Sequence, residues 1–412
     1  MLWGWGLKPL IKRGHLTVTD ADNLVHHYGV SGGAPAVSIR LRDRALHWKL
    51  ALNPGLYFGE AYMDEALLIE SGSLHDLLTL FAINLSQTNP SRLDSLVEGL
   101  DFLTRNWQQY NPIARASANV RHHYDLSDEL YNLFLDADMQ YSCAYVPDEE
   151  TSLEDAQHLK KCHIAAKLRL EPGMRVLDIG CGWGGMAIYL ARETGVEVTG
   201  LTLSVAQAEK ARDRVKKAGL EKQVKICLRD YREEKGVYDR IVSVGMFEHV
   251  GVGHYPEFFA KLRSLLKPEG VALLHSIGRV DGPGTANPWL RKYIFPGAYA
   301  PALSEVLPVI ELGKLWVTDI EILRQHYART LSEWHKRFNA RRSEVAAMYD
   351  ERFCRMWEFY LLSAEMEFSY MGTMVFQIQL TREIDDLPVT RDYMLDWERS
   401  RDYPTGKQEQ TV

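Results

Sequence analysis

Hydrophobic and polar positions along this chain change period several times. Between residues 170 and 280 five short apolar runs recur: Val176 to Ile179, Glu197 to Leu201, Val224 to Leu228, Arg240 to Val244 and Val271 to Ser276. Segments of helical spacing separate several of them, over Met186 to Glu193, Val205 to Ala218 and Pro256 to Leu266. Strands alternating with helices predict an α/β fold built on a doubly wound, mostly parallel sheet. Such sheets take their ligands at the carboxyl ends of the strands. Further on, Thr318 to Phe338 reads as helical, and Met374 to Leu380 reads as a late strand closing the sheet. Met356 to Phe376 is apolar but carries Glu358, Glu365 and Glu367, so it is expected to be a buried helix leading into a strand.

The first ninety residues follow a different pattern and predict a separate small α/β unit. Ala36 to Leu41 alternates as a strand does. Leu46 to Tyr62 has mixed helical spacing broken at Asn53-Pro54-Gly55, Ala66 to Ile69 is a candidate strand, and Leu74 to Leu85 is an amphipathic helix. The expected organisation is a small α/β domain over 1–90, a linker over 91–120, a catalytic domain over 121–400 and a tail over 401–412. A Pro-, Gly- and aromatic-rich insertion over about 279–342 stands at the sheet's carboxyl edge, where it is expected to cover a substrate. Arg121-His122-His123-Tyr124-Asp125-Leu126 is expected to open a helical stretch acting as a lid.

Composition narrows the class. The 412 residues carry 48 Lys plus Arg against 55 Asp plus Glu, a net charge of −7, which argues against general nucleic-acid binding. The five cysteines, Cys143, Cys162, Cys181, Cys227 and Cys354, are scattered without a Cys-x-x-Cys pair, as expected of reduced thiols in a cytoplasm, and no metal site is expected. No apolar run reaches the ~18 uncharged residues of a membrane span. Trp3, Trp5 and Leu10 stand beside Lys8, Lys12 and Arg13; they either form an interfacial contact with a membrane or pack on the amino-terminal unit.

The candidate chemistry starts at Val176-Leu177-Asp178-Ile179-Gly180-Cys181-Gly182-Trp183-Gly184-Gly185, where a strand turns through glycines into a helix. Glycines allow the tight turn and let a ligand approach the backbone. No Gly-Lys-Ser/Thr follows, which excludes a P-loop. The next strand leads to Thr202-Leu203-Ser204 and Gln207 rather than to the acid that a dinucleotide fold offers a ribose. Asp230 and Tyr231 end the third strand, where an acid and a ring can bracket an adenine. This pattern resembles that of S-adenosylmethionine-dependent methyltransferases. Glu248 after the fourth strand and His275 at the end of the fifth stand at the same sheet edge, and an apolar strand is an expensive neighbour for an unpaired Glu.

Five segments in order make the resemblance closer: Tyr141-Ser142-Cys143-Ala144-Tyr145, Leu177 to Gly184, Gly200-Leu201-Thr202-Leu203-Ser204, Phe247-Glu248-His249-Val250-Gly251 and Lys292-Tyr293-Ile294-Phe295-Pro296-Gly297. Over about residues 115–385 the chain resembles the cyclopropane-fatty-acyl-phospholipid synthases and the related mycolic acid cyclopropane synthases. The resemblance implies transfer of a methyl(ene) group from S-adenosylmethionine to the cis double bond of an unsaturated phospholipid acyl chain, through a carbocation that a bound bicarbonate deprotonates. It implies a bicarbonate site around Cys143, Glu248, His275, Ile277 and Tyr327, with Cys143 and Ile277 contributing mainly backbone groups and His275 supporting Glu248. It places the cofactor against Tyr141, Ser142, Asp178, Gly180, Cys181, Gly182, Thr202, Ser204, Gln207, Asp230 and Tyr231. A homodimer, peripheral contact with the inner membrane surface, a cytoplasmic location and no nucleic-acid partner are expected. Open alternatives are a lipid methyltransferase with a methyl-branched or methylene product, and a non-catalytic protein that binds lipid or S-adenosylmethionine.

Overall fold

A computed structural model of the chain describes residues 3–87 and 127–401. The linker expected over 91–120, the segment Arg121 to Leu126 and the tail after Arg401 lie outside the described residues.

The amino-terminal unit is a four-stranded sheet of order β2-β1-β3-β4. Its strands are β1 (His15–Thr19), β2 (Val25–Gly29), β3 (Ala36–Leu41) and β4 (Leu67–Ser71). Alternation in β3 sends Val37, Ile39 and Leu41 into a core with Leu16, Val18 and Leu67. Helices Trp3–Leu10 and Leu74–Leu85 contribute Leu7, Leu77 and Leu80 to the same core. Strands β1 and β2 go beyond the sequence pattern: β2 reads Val-His-His-Tyr-Gly and has no buried position, so only its pairing with β1 identifies it. The helical stretch from Leu46 is two helices, Leu46–Leu52 and Pro54–Met63, and Asn53 caps the second by accepting from the Leu56 N–H at 3.1 Å. Of the first thirteen residues, part packs on the amino-terminal unit. Trp3, Leu7 and Ile11 are buried in the unit's core, whereas Trp5 is 83% exposed.

The second sheet has seven strands in the order β10-β11-β9-β8-β5-β6-β7. These are β5 (Arg175–Ile179), β6 (Glu197–Thr202), β7 (Val224–Leu228), β8 (Tyr238–Val244), β9 (Leu266–Arg279), β10 (Trp316–Ile322) and β11 (Thr373–Thr381). β5 to β9 pair parallel, while β11 runs antiparallel to both β9 and β10. β5 pairs β6 on one side and β8 on the other, so chain order reverses between β5 and β8, the point where such sheets open a ligand crevice.

Two features depart from the expected pattern. Thr318 to Phe338 is not one helical region: β10 comes first and helix His326–Ala340 follows. β10 is an edge strand with one buried residue, Asp319, and its hydrogen bonds to β11 define it rather than its own apolar spacing. Helix Leu153–Leu168 is absent from the sequence reading because its buried positions include Gln157, Lys160, Lys161, His163 and Lys167. Helix Glu351–Tyr370 does lead into β11, as expected, starting where Asp350 caps the Phe353 N–H at 2.6 Å.

The amino-terminal unit packs on helix Glu351–Tyr370 through helices Pro54–Met63 and Leu74–Leu85. Tyr62 donates to Glu358 at 2.8 Å, Arg352 pairs with Asp64 at 2.7 Å, and Lys292 pairs with Glu60 at 2.7 Å. Gly59 sits at the tightest part of this seam. A Cβ there would meet the Trp289 indole at 2.6 Å and the Phe359 ring at 2.8 Å. Trp289 is 2% exposed and has no room to retreat. Gly59→Val is therefore expected to lower stability by about 1–3 kcal/mol. Gly55→Ala, whose new Cβ would only touch Pro288 at 3.5 Å, should leave it unchanged. Urea unfolding of the two variants beside the parent checks this, and equal midpoints for all three would disprove the steric account.

Candidate active site

A cleft opens at the carboxyl ends of β5, β6, β7 and β8. Its floor is the glycine turn after β5. Gly180 has φ +87° and Gly182 has φ +52°, a region that L side chains rarely adopt. A Cβ on Gly182 would meet nothing within 4 Å, so the cleft lies open above the backbone there.

Of the eleven residues expected at a cofactor, ten line this cleft: Tyr141, Ser142, Asp178, Gly180, Cys181, Gly182, Thr202, Gln207, Asp230 and Tyr231. Ser204 does not line it. Its side chain caps helix Val205–Lys217, accepting from the Gln207 N–H at 3.3 Å. The Thr202 hydroxyl donates to Gln207 Oε1 at 2.9 Å. Asp230 is engaged by Arg232, which donates to both its oxygens at 2.9 and 2.7 Å, so at this strand end Tyr231 supplies the ring and Arg232 takes up the acid. Gln140, Met246, His249 and Arg229 also line the cleft and were not among the expected residues. His249 was within reach of sequence reasoning, since it directly follows Glu248. Gln140 carried no signal beyond its place before Tyr141.

Two acids define the electrostatics. Asp178 is 2% exposed, and its Oδ2 has no hydrogen-bond partner among the described residues. Burial pushes its pKa up to about 7, against the opposing pull of the Lys160 charge. Glu248 is 7% exposed: Oε1 accepts from the Ile277 N–H at 2.7 Å and Oε2 has no partner among the described residues. Its pKa is likewise pushed up to about 7 by burial. An unpartnered carboxylate oxygen in a dry site costs free energy that a ligand donor would relieve. For Asp178 such a donor fits an ammonium group, and the open glycine turn, Gln207 and the face of Tyr231 fit the remainder of S-adenosylmethionine. For Glu248 the second oxygen fits a proton shared with a small anion.

The five residues expected to carry catalysis converge only in part through direct bonds. Cys143 and Tyr327 are buried in one hydrophobic cluster, with Tyr141 and Ile277 packed against it. Glu248 joins them through the Ile277 N–H, so that N–H serves the carboxylate rather than standing free for an anion. His275, two residues earlier on β9, contacts Gln377 at 3.1 Å and not Glu248, which corrects the expected pairing. Burial holds His275 down to about 3, hence neutral. The Cys143 thiol contacts the Ala144 carbonyl at 3.3 Å and is pushed far up by burial, which leaves it no nucleophilic character. Aromatic rings wall this region: Tyr141 stacks on Trp334 at 5.1 Å and shares a hydroxyl contact with Tyr360 at 2.9 Å, while Tyr327 packs on Phe368 at 4.7 Å.

Behind the cleft, Lys160 donates to Gln140 Oε1 at 2.6 Å and to the Ser142 hydroxyl at 2.7 Å. It holds in place the strap that carries Tyr141 and Cys143. Burial lowers its pKa to about 7 despite the nearby Asp136.

Comparisons with known proteins agree with this architecture. The sequence model of the family described as mycolic acid cyclopropane synthetase matches residues 112–378, and a domain of unknown function matches residues 10–88. The chain is 37% identical over 368 residues to cyclopropane-fatty-acyl-phospholipid synthase of Escherichia coli, covering 89% of this chain and 94% of that protein. It is 35% identical over 378 residues to tuberculostearic acid methyltransferase of Mycobacterium tuberculosis, covering 87% of each. Among solved structures, mycolic acid cyclopropane synthase CmaA1 complexed with SAH and CTAB aligns with a TM-score of 0.61 at 32% identity, over 66% of this chain and 99% of that one.

The two raised acids make stability depend on pH. Their folded pKa values near 7 exceed the ordinary carboxyl values of about 4. Between those limits the folded protein keeps protons that the unfolded chain has released. The stability that these two protonated acids lend the ligand-free fold is therefore lost as pH rises from about 4 to about 7, and these two groups do not restore it above that. Glu248→Gln should match the parent at pH 4 and exceed it at pH 8 by up to about 3 kcal/mol. Urea unfolding at the two pH values measures this; a variant less stable than the parent at pH 8 would contradict it.

Proposed function

The chain belongs to the mycolic acid cyclopropane synthetase family, and we propose that it converts the cis double bond of an unsaturated phospholipid acyl chain into a cyclopropane, using S-adenosylmethionine. The observation that carries this reading is the unpartnered, buried Glu248 oxygen beside an aromatic-walled cluster at the sheet's switch point, in a chain that spans nearly the whole of a cyclopropane-fatty-acyl-phospholipid synthase.

When bound, S-adenosylmethionine supplies an electrophilic methyl group. Asp178 would take its ammonium, the glycine turn would meet it along the backbone, and Tyr231 would stack on the adenine. An alkene has no proton to lose as it attacks, so no residue need act as a base at that stage. The cation left on the acyl chain must then lose a proton for the ring to close. A carboxylate in contact with that cation would risk alkylation. A bicarbonate held about Cys143, Glu248, His275 and Tyr327 would supply a base for that proton, with Ile277 acting through its N–H to Glu248. With its pKa near 7, Glu248 carries a proton in much of the population at neutral pH and can offer it to such an anion as a hydrogen bond, which would hold the anion while leaving it basic. Of Tyr141, Trp334 and Tyr327, Tyr141 lines the cleft, where its ring would favour the positive charge. Proton loss from another carbon would give a methyl-branched product. The similarity to tuberculostearic acid methyltransferase favours keeping that outcome as the second reading.

The substrate chain lies in a bilayer, whereas no helix among the described residues is long and apolar enough to cross one. Docking is assigned to the exposed face of the contacting helices Trp3–Leu10 and Leu46–Leu52. There Trp5, Trp48 and Leu52 are 83%, 63% and 80% exposed, flanked by Lys8 and Lys49. Large apolar side chains beside lysines suit an anionic lipid surface.

Glu248→Gln and Tyr327→Phe are each expected to reduce turnover on the order of 10²-fold or more while calorimetry still detects S-adenosylmethionine binding. Parental turnover in both variants would refute the assignment. Mass spectrometry of lipids from a host with unsaturated phospholipids distinguishes the products. Gain of one CH2 with loss of alkene reactivity means a ring; the same gain with the alkene kept means a methylene product or a methyl-branched alkene.

Replacing Trp5, Trp48 and Leu52 together by Ser should weaken sedimentation with anionic vesicles and slow turnover on them, leaving S-adenosylmethionine affinity as it was. A triple variant that sediments like the parent would rule out this face.

A further inference from the structure

Helix Leu153–Leu168 carries a line of buried polar groups that the mechanism above leaves idle. Lys167 is 1% exposed. Its ammonium contacts Gln377 Oε1 at 2.8 Å, Asp319 at 3.8 Å and, very closely, Glu321. Glu321 also accepts from His163 Nε2 at 2.6 Å, and His163 Nδ1 reaches Glu398 at 2.5 Å. Gln377, 1% exposed on β11, sits directly opposite His275 on β9, and its Nε2 lies 3.1 Å from His275 Nδ1.

Hydrogen-bond chemistry settles the direction of this chain. An ammonium has donors and no acceptor, so the Gln377 atom facing Lys167 is the carbonyl oxygen. The other end of the amide is then NH2, a donor, and it faces His275 Nδ1. Nδ1 must accept, so the ring's proton sits on Nε2. Reversing the amide would turn NH2 toward the ammonium and break two bonds in a buried site.

We propose that Lys167 and Gln377 are positioning residues that hold His275 as the neutral Nε2–H tautomer, leaving Nε2 as the one imidazole donor at the reacting site. The depressed basicity of the buried ring agrees, because a doubly protonated ring would aim an N–H at the amide NH2. The functional half of this inference rests on the reading that His275 stands at the reacting site; the tautomer does not.

Gln377→Glu is the decisive variant, because it keeps the shape and replaces the donor by an acceptor. At pH 8 its carboxylate beside Lys167 requires a proton on Nδ1. Nitrogen-15 NMR of protein labelled in histidine, with His275 assigned by loss of its signals in His275→Gln, should show Nε2 protonated in the parent and Nδ1 protonated in Gln377→Glu. Turnover of Gln377→Glu should fall on the order of 10²-fold with KM for S-adenosylmethionine unchanged. Lys167→Met, which frees the amide to turn, should show both tautomers and a smaller fall. A parent ring protonated on Nδ1, or a Gln377→Glu protein with the Nδ1–H ring and parental turnover, would overturn the proposal. Parental turnover in His275→Gln would instead remove His275 from the reacting site while the NMR result stood.

Discussion

The site depends on one constraint: two carboxyls, Asp178 and Glu248, are buried at the carboxyl ends of neighbouring strands, each with an oxygen left unpartnered among the described residues. Neither arrangement favours the ligand-free fold, since an unpaired acid in a dry site is costly. Both acids respond by holding protons to about pH 7. Such sites persist where a ligand completes them, and the reversal of chain order between β5 and β8 brings these two together. One acid faces the cofactor cleft, and the other is tied by Ile277 to the aromatic cluster, so one sheet edge divides into a polar half and a greasy half.

Helix Leu153–Leu168 meets this constraint from behind. A helix packed on a sheet ordinarily turns an apolar stripe inward; this one also turns in Gln157, Lys160, Lys161, His163 and Lys167. Burial of four basic side chains is tolerable because each meets oxygen acceptors: Gln140 and Ser142 for Lys160, Asp138 for Lys161, Glu321 and Glu398 for His163, Glu321 and Gln377 for Lys167. These bonds do more than satisfy the helix. Through Gln140 and Ser142 they hold the strap over the cleft, and through Gln377 they reach His275. The helix acts as a rigid polar scaffold for groups that themselves stand in apolar surroundings.

The amino-terminal unit is joined to this scaffold rather than tethered beside it. Its helix Pro54–Met63 meets Trp289 and Phe359, so helix Pro288–Tyr293 and helix Glu351–Tyr370 share a seam with it. The helices that carry Trp5, Trp48 and Leu52 pack in the same unit and are thereby kept in a set relation to helix Glu351–Tyr370.

Local pattern alone determined much of this protein. Apolar runs alternating with helical spacing specified β5 to β9, and the glycine turn, Thr202, Gln207 and Tyr231 were legible because strand-end residues of a doubly wound sheet face a ligand whatever surrounds them. The covalent order of motifs marked Glu248 and His275 for the same reason. Tertiary structure decided what the pattern could not. β2 and β10 exist because of their ladder partners, since neither has an apolar stripe of its own. Helix Leu153–Leu168 was hidden because its inward face is charged, and a charge reads as surface until its acceptors, distant in sequence, are known. That Ser204 caps helix Val205–Lys217 was also not legible, because a cap and a ligand contact occupy the same place after a strand. His275 went to Gln377 rather than Glu248 because the register between β9 and β11 sets its partner, and that register is a property of two strands about a hundred residues apart.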